Sequence, residues 1–180
     1  MALGATIYSF EIDLSDVDRG VYQAVNLRVA QHPSETSEYL LTRVLAYCLE
    51  YAEGIEFSRG LSAPDEPAVL VRDLTGALQV WIDIGLPEPE RLHRASKAAP
   101  RVAVYSHKDP ATWLLRLGEA KIHRAADVQL FAFDRVWMAR LVAKLERRVK
   151  WSLARSETEI YLTWGDDTLQ TVLERPSGQG

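Results

Sequence analysis

Thr6 to Leu14 alternates loosely between apolar and polar positions, which predicts a strand. Asp16, Asp18, Arg19 and Gly20 supply turn chemistry. Val21 to Ala30 then predicts a second strand, with Val21, Val25, Leu27 and Val29 as its apolar set. The two read as an N-terminal hairpin. The period then lengthens: Leu41, Val44, Leu45 and Cys48 fall at i, i+3, i+4 and i+7, the spacing of a helix with one buried face. His32-Pro33-Ser34-Glu35 is its start signal, with Ser34 as the cap and Glu35 and Glu38 as first-turn acids; Gly54 is its stop. The helix is expected from about Glu35 to Ala52.

A short extended segment, Phe57 to Leu61, leads to a turn-like stretch at Pro64-Asp65-Glu66. Two apolar runs follow, Ala68 to Arg72 and Ala77 to Ile84, and the Thr75-Gly76 pair between them predicts a second hairpin. In the second run Leu78, Val80, Ile82 and Ile84 alternate with Gln79, Trp81 and Asp83. Strand period therefore puts Asp83 on the face of Trp81, opposite the aliphatic row. Gly85-Leu86-Pro87 breaks the strand, and Pro89 suits the first turn of a helix over Glu88 to Ala99. Leu92, Ala95 and Ala99 make its inner face, with Arg94 and Lys97 on the more polar side. Arg101 to Ser106 reads as a strand, so the strand–helix–strand order predicts a parallel crossover.

The remainder predicts a helix from Asp109-Pro110 to near Gly118, a strand over Val128 to Phe133 and a helix over Arg135 to Leu145. Strands over Lys150 to Leu153, Glu159 to Trp164 and Thr168 to Leu173 follow. Residues 175–180 read as a loose tail. With no repeat or linker, the expected fold class is α/β (α+β). It is a single domain over residues 1–180, with one mixed central sheet flanked by helices and additional N- and C-terminal strands.

Composition narrows the class. The chain has 180 residues, 47% apolar and 26% charged, ordinary values for a soluble globular protein with a substantial core. No apolar run is long enough to span a bilayer, and the N-terminal stretch lacks a basic region, so neither a membrane span nor a signal peptide is expected. With Cys48 as the single cysteine no internal disulfide forms, and the expected location is cytoplasmic. The net charge of −4 argues against coating duplex DNA through charge alone. It leaves room for a local basic surface: Arg140 to Arg155 holds six basic residues against Glu146, a run more simply read as a solvated face.

Candidate chemistry centres on carboxylates. Asp83 comes late in a strongly apolar strand, where an uncompensated charge is expensive. Two compensations stand side by side: a metal ion, or an ion pair with Arg59. Asp65 and Glu66 are by themselves ordinary turn residues, and Glu38 by itself is a first-turn acid favourable to the helix dipole. In chain order, however, a helix carboxylate, a Pro-Asp and a strand acid make the donor set of a Mg²⁺ or Mn²⁺ site, since hard cations prefer carboxylate oxygens. Cys48 and the two tryptophans Trp81 and Trp113 read as core, and the four histidines have no zinc spacing.

The same residues carry a resemblance. Pro64-Asp65 followed by Asp83 on the next strand resembles the PD-(D/E)xK nuclease superfamily, with Glu38 as the helix carboxylate. The opening MALGATIY, His32 to Thr36 (HPSET), Arg59 to Leu61 (RGL), Asp65 to Pro67 (DEP) and Trp81 to Pro87 (WIDIGLP) resemble the YaeQ family of bacterial proteins, over nearly the whole chain. The resemblance implies a restriction-endonuclease-like fold. It also implies a Mg²⁺-dependent nuclease with Glu38, Asp65 and Asp83 as metal ligands and catalytic acids. The superfamily's lysine, two residues after the strand acid, is absent, because that position is Gly85. A cation from the next helix is the expected substitute: Lys97 as the catalytic base-type residue, or Arg94 as a phosphate clamp, with Arg59 on the substrate backbone. The rival expectation is a non-catalytic protein on the same fold that binds nucleic acid or a protein partner.

Overall fold

The computed structural model describes residues 4–59 and 65–176. The sequence expectations at Gly60, Leu61 and Pro64, and at the first three and last four residues, lie outside the described residues. Among the described residues the chain is a mixed α+β protein with two five-stranded mixed sheets and four α-helices, and it divides into two compact units. The expected mixed sheet and the additional N- and C-terminal strands are both present, and the expectation is refined in one respect. The terminal strands build a sheet of their own, because strands from the two ends of the chain pair with each other.

The first unit holds residues 1–41 and 134–173. Strands β1 (Thr6–Asp16) and β2 (Val21–Gln31) form the expected antiparallel hairpin. β1 also pairs in parallel with β8 (Arg148–Ser156), Ser9 opposite Arg148, and β9 (Glu159–Trp164) and β10 (Asp167–Val172) complete the order β10-β9-β8-β1-β2. Phe10, Ile12 and Leu14 alternate inward on β1 as Val149, Trp151 and Leu153 do on β8, and Phe10 meets Trp151 edge-on at 5.3 Å. Helix α4 (Arg135–Lys144) is capped by Asp134, whose side chain accepts from the Trp137 amide, and it buries Trp137, Met138 and Leu141.

The second unit holds residues 42–133 and the segment from Glu174 onward. Its strands are β3 (Ile55–Phe57), β4 (Val69–Arg72), β5 (Leu78–Ile84), β6 (Arg101–Ser106) and β7 (Gln129–Ala132), in that spatial order. β4 and β5 are the expected hairpin, with a register shift at Val71/Arg72. β5 and β6 are parallel across helix α2 (Pro89–Ala98), as the crossover reading requires. Helix α3 (Ala111–Glu119) makes the next crossover, to β7. Leu92 and Ala95 of α2 pack with Trp81, Val102, Val104, Trp113 and Leu130 into one buried cluster. Being central in this sheet, β5 is buried on both faces over Trp81 to Ile84, so its alternation marks two cores and not a core and a solvent side.

Helix α1 (Ser37–Leu49) begins later and ends earlier than expected. Its N-terminal hydroxyl is Thr36, which accepts from the Tyr39 amide; Ser34 instead bonds to the ring of His32. Among the described residues no helix is long and apolar enough to cross a membrane.

Candidate functional site

Asp83 is 2% exposed near the end of β5. Its charge is met by Arg91, from the first turn of α2: Nε donates to Oδ2 at 2.8 Å and Nη2 to Oδ1 at 2.9 Å, the two-pronged geometry in which arginine binds carboxylate most strongly. Arg91 Nη2 also donates to the Glu66 carbonyl at 2.7 Å. One guanidinium therefore joins the strand acid to the turn that carries Asp65 and Glu66. Its cationic carbon also lies 5.4 Å from the Trp81 ring centre, so the indole that shares a face with Asp83 backs the arginine as well.

Asp65 is at the solvent edge of the same region. Its side chain is 87% exposed, with Arg94 Nη1 3.5 Å from Oδ1. Three residues apart on one helix face, Arg91 and Arg94 thus address the two acids in turn. Lys97, a further three residues on, is exposed in the last turn of α2. Arg59 does not pair with Asp83, contrary to one expectation. It lies on Glu66 at 3.0 Å, where its hydrogen bond holds the Glu66 carboxylate below the usual range while Glu66 holds the Arg59 guanidinium up. Glu38 stands partly buried in the first turn of α1, in the first unit.

Gly85 stands where the superfamily resemblance expects a lysine. Its φ is +88°, a conformation that a side chain rarely adopts, and its amide donates to the Tyr105 carbonyl at 2.8 Å. The chain turns out of β5 at this point by a left-handed residue. Arg91 was missed in the sequence, although a signal existed: it is the first cation in the first turn of the helix that directly follows the acid's strand.

The donors are hard oxygens suited to Mg²⁺ or Mn²⁺, but both oxygens of Asp83 accept from Arg91. Among the described residues no three His, Cys, Asp or Glu side chains come together as a preformed metal site. An ion would have to share Asp83 with Arg91 or displace it.

A family model described as YaeQ protein matches residues 1–173. The chain belongs to the YaeQ family. It is 31% identical to the Escherichia coli (strain K12) protein named uncharacterized protein YaeQ, over 98% of this chain and 100% of the relative. A Salmonella typhi protein of the same name is 30% identical with the same coverage. The crystal structure of a YaeQ protein from Xanthomonas axonopodis pv. citri superposes with a TM-score of 0.87 at 31% identity, covering 96% of this chain and 98% of that one. A Pseudomonas syringae YaeQ structure gives 0.85 at 32% identity, over 97% of each chain. The resemblance to the YaeQ family read from the sequence thus holds.

Proposed function

We propose that this YaeQ-family chain is a Mg²⁺- or Mn²⁺-dependent phosphodiesterase acting on nucleic acid, of the PD-(D/E)xK type. The observation that carries the reading is the tie between its two acids: Arg91 bonds Asp83 through both oxygens and bonds the carbonyl of Glu66, next to Asp65. A buried carboxylate neutralised by an arginine that faces solvent over 24% of its side chain is an acid held in reserve. Asp65 and Asp83 are the residues that would hold the ion, and the resemblance adds Glu38 as an expected third carboxylate. A bound divalent ion supplies charge stabilisation at the phosphoryl oxygens and a more acidic attacking water. Arg94 and Lys97 contact the phosphate backbone, as does Arg59, each as an exposed cation.

The test is Mn²⁺ titration with and without a short oligonucleotide, followed by cleavage assays on single- and double-stranded DNA and RNA. Asp65→Asn is the cleanest variant, because the side chain is exposed and its loss spares the fold. Cleavage in wild type that falls by about 10² or more in Asp65→Asn supports the reading. Glu38→Gln tests the third carboxylate separately. Binding of nucleic acid that is indifferent to metal and leads to no cleavage overturns it. That outcome favours the second reading, a non-catalytic binding protein, for which the full engagement of Asp83 by Arg91 is the supporting observation.

A further inference from the structure

We infer that the second unit carries a binding site for a small carboxylate with an apolar body, seated beside α3 and the start of β7 with its carboxylate on Arg175. The inference stands apart from the metal-dependent reading above, because none of its residues is one of the candidate acids or phosphate contacts.

A cleft of about 1020 Å³ opens beside α3. That is the upper end of the range of roughly 300–1,000 Å³ that small-molecule sites occupy. Its apolar side is made by Leu92, Leu130 and the indole of Trp113, whose Nε1 is already bonded to the Pro87 carbonyl at 2.6 Å. Leu114, Leu117 and Ile122 line it too and are only partly buried against that core, so apolar surface remains for a ligand to cover. One wall is preformed. Arg124, at φ 51°, donates to the carbonyls of Ser96, Ala99 and Pro100 at 2.5, 2.8 and 3.1 Å, which fixes the single 3₁₀ turn Ala125–Asp127 that follows it on the cleft. Gly118 lies on the cleft in the last turn of α3, without a positive φ. A Cβ there would meet nothing within 4 Å, so neither the backbone conformation nor protein packing requires glycine, a poor helix former. A bare stretch of backbone is what lets a ligand approach closely.

Charge selects the ligand's polar end. The lining carries two guanidinium groups against one carboxylate, Asp127, which among the described residues pairs with neither, so it favours an anion. Arg101 is held in place: Nε donates to Gln129 Oε1 at 2.7 Å and Nη2 to the buried Glu50 at 2.9 Å. Arg175 is the group left to receive a ligand. It is exposed, its guanidinium carbon lies 5.3 Å from the centre of the Phe131 ring, and among the described residues it has no carboxylate partner. Such a guanidinium offers a carboxylate two parallel N–H donors.

The experiment titrates naphthoate, naphthalenemethanol and naphthylmethylamine into the full chain by calorimetry, one apolar body with a negative, neutral or positive end. Wild type, Arg175→Gln, Arg175→Lys and Gly118→Phe are compared, each with a thermal melt. Wild type is expected to bind naphthoate about tenfold or more tightly than the alcohol, and the amine least tightly. Arg175→Gln loses the preference for the carboxylate while binding the alcohol as wild type does, and Arg175→Lys keeps part of it. Gly118→Phe fills the cleft and abolishes binding of all three probes without lowering the melting temperature. Should it fail to fold, Gly118→Leu is the smaller replacement and is expected to weaken all three about tenfold or more. Equal binding of the three probes overturns the inference, as does a carboxylate preference that survives Arg175→Gln, or binding undiminished by a folded Gly118 variant. Absence of binding by every probe to folded wild type at millimolar concentration overturns it as well.

Discussion

Cys48 has no accessible surface, and burial pushes its thiol up to about 12. Two consequences are measurable. The native protein should leave a thiol reagent unreacted, with modification appearing only as the chain unfolds, because the nucleophile is the thiolate. The folded value lies above the ordinary 9.0, so the neutral thiol's contribution is complete below about pH 9 and lost as pH rises toward 12. Denaturant midpoints of wild type and Cys48→Ala should therefore converge between pH 9 and 11. The core role of Cys48 was legible in the sequence from the helical stripe it completes. The partner of Asp83 was not, because strand period assigns a face and is silent on which cation comes to it. Glu50 was less legible still. It is 7% exposed and accepts from Tyr105 Oη at 2.7 Å and from Arg101 Nη2 at 2.9 Å, and Arg101 Nη1 bonds its second oxygen. Both partners lie more than fifty positions along the chain, beyond any local pattern. Glu50 is buried while Arg101 keeps 38% of its side chain exposed, so removing Glu50 is expected to cost about 1–3 kcal/mol, chiefly from the hydrogen bonds left unmade. Urea denaturation of Glu50→Ala checks the size of that loss, and it should leave nucleic-acid cleavage by the folded fraction unchanged.

At the scale of elements, local signals served well where the signal was chemical. Pro89 opened α2, Thr75-Gly76 closed the β4–β5 hairpin, and the β5–α2–β6 crossover followed from order alone. The parallel pairing of β1 with β8 had no local signature. It depends on which edges remain unpaired after each hairpin forms, a property of the assembled sheet. Two glycines, one just before β3 and one just after β5, separate backbone strain from steric overlap. Gly54 and Gly85 have φ of +87° and +88°, but a Cβ at Gly54 would lie 2.0 Å from the Arg72 carbonyl oxygen, while none lies within 4 Å at Gly85. Gly85→Ala should therefore cost roughly 1–2 kcal/mol, the backbone term alone. Gly54→Ala adds an overlap with main chain that cannot rotate away, for a total on the order of 3 kcal/mol or more. Equal losses in urea denaturation would show that the β4 backbone moves to accommodate the methyl group.

At the scale of the whole molecule, the net charge of −4 means that its overall field does not draw in a polyanion. On the proposed reading, a nucleic acid is held by a small local set, Arg59, Arg94 and Lys97, against an acidic background. Counterion release turns that into a number. About three phosphate contacts give a slope of log affinity on log salt near −2.7, so raising salt from about 50 to 200 mM weakens duplex binding roughly 40-fold. A protein binding through a broad basic face, with six to ten contacts, would lose about 10³ to 10⁵ over the same range. The basic run from Arg140 to Arg155 is the alternative source of such contacts, and part of it is already engaged: Lys144 bonds Asp167 at 2.8 Å, and Arg147 lies over the Tyr8 ring at 5.9 Å. The measurement is fluorescence anisotropy of a labelled duplex in the Asp65→Asn background, which removes turnover. Arg94→Gln should flatten the slope by about one, and Arg148→Gln should leave it unchanged. The reverse result would move the nucleic-acid surface from α2 to β8, and the cations beside Asp83 would then act on the reacting phosphate alone.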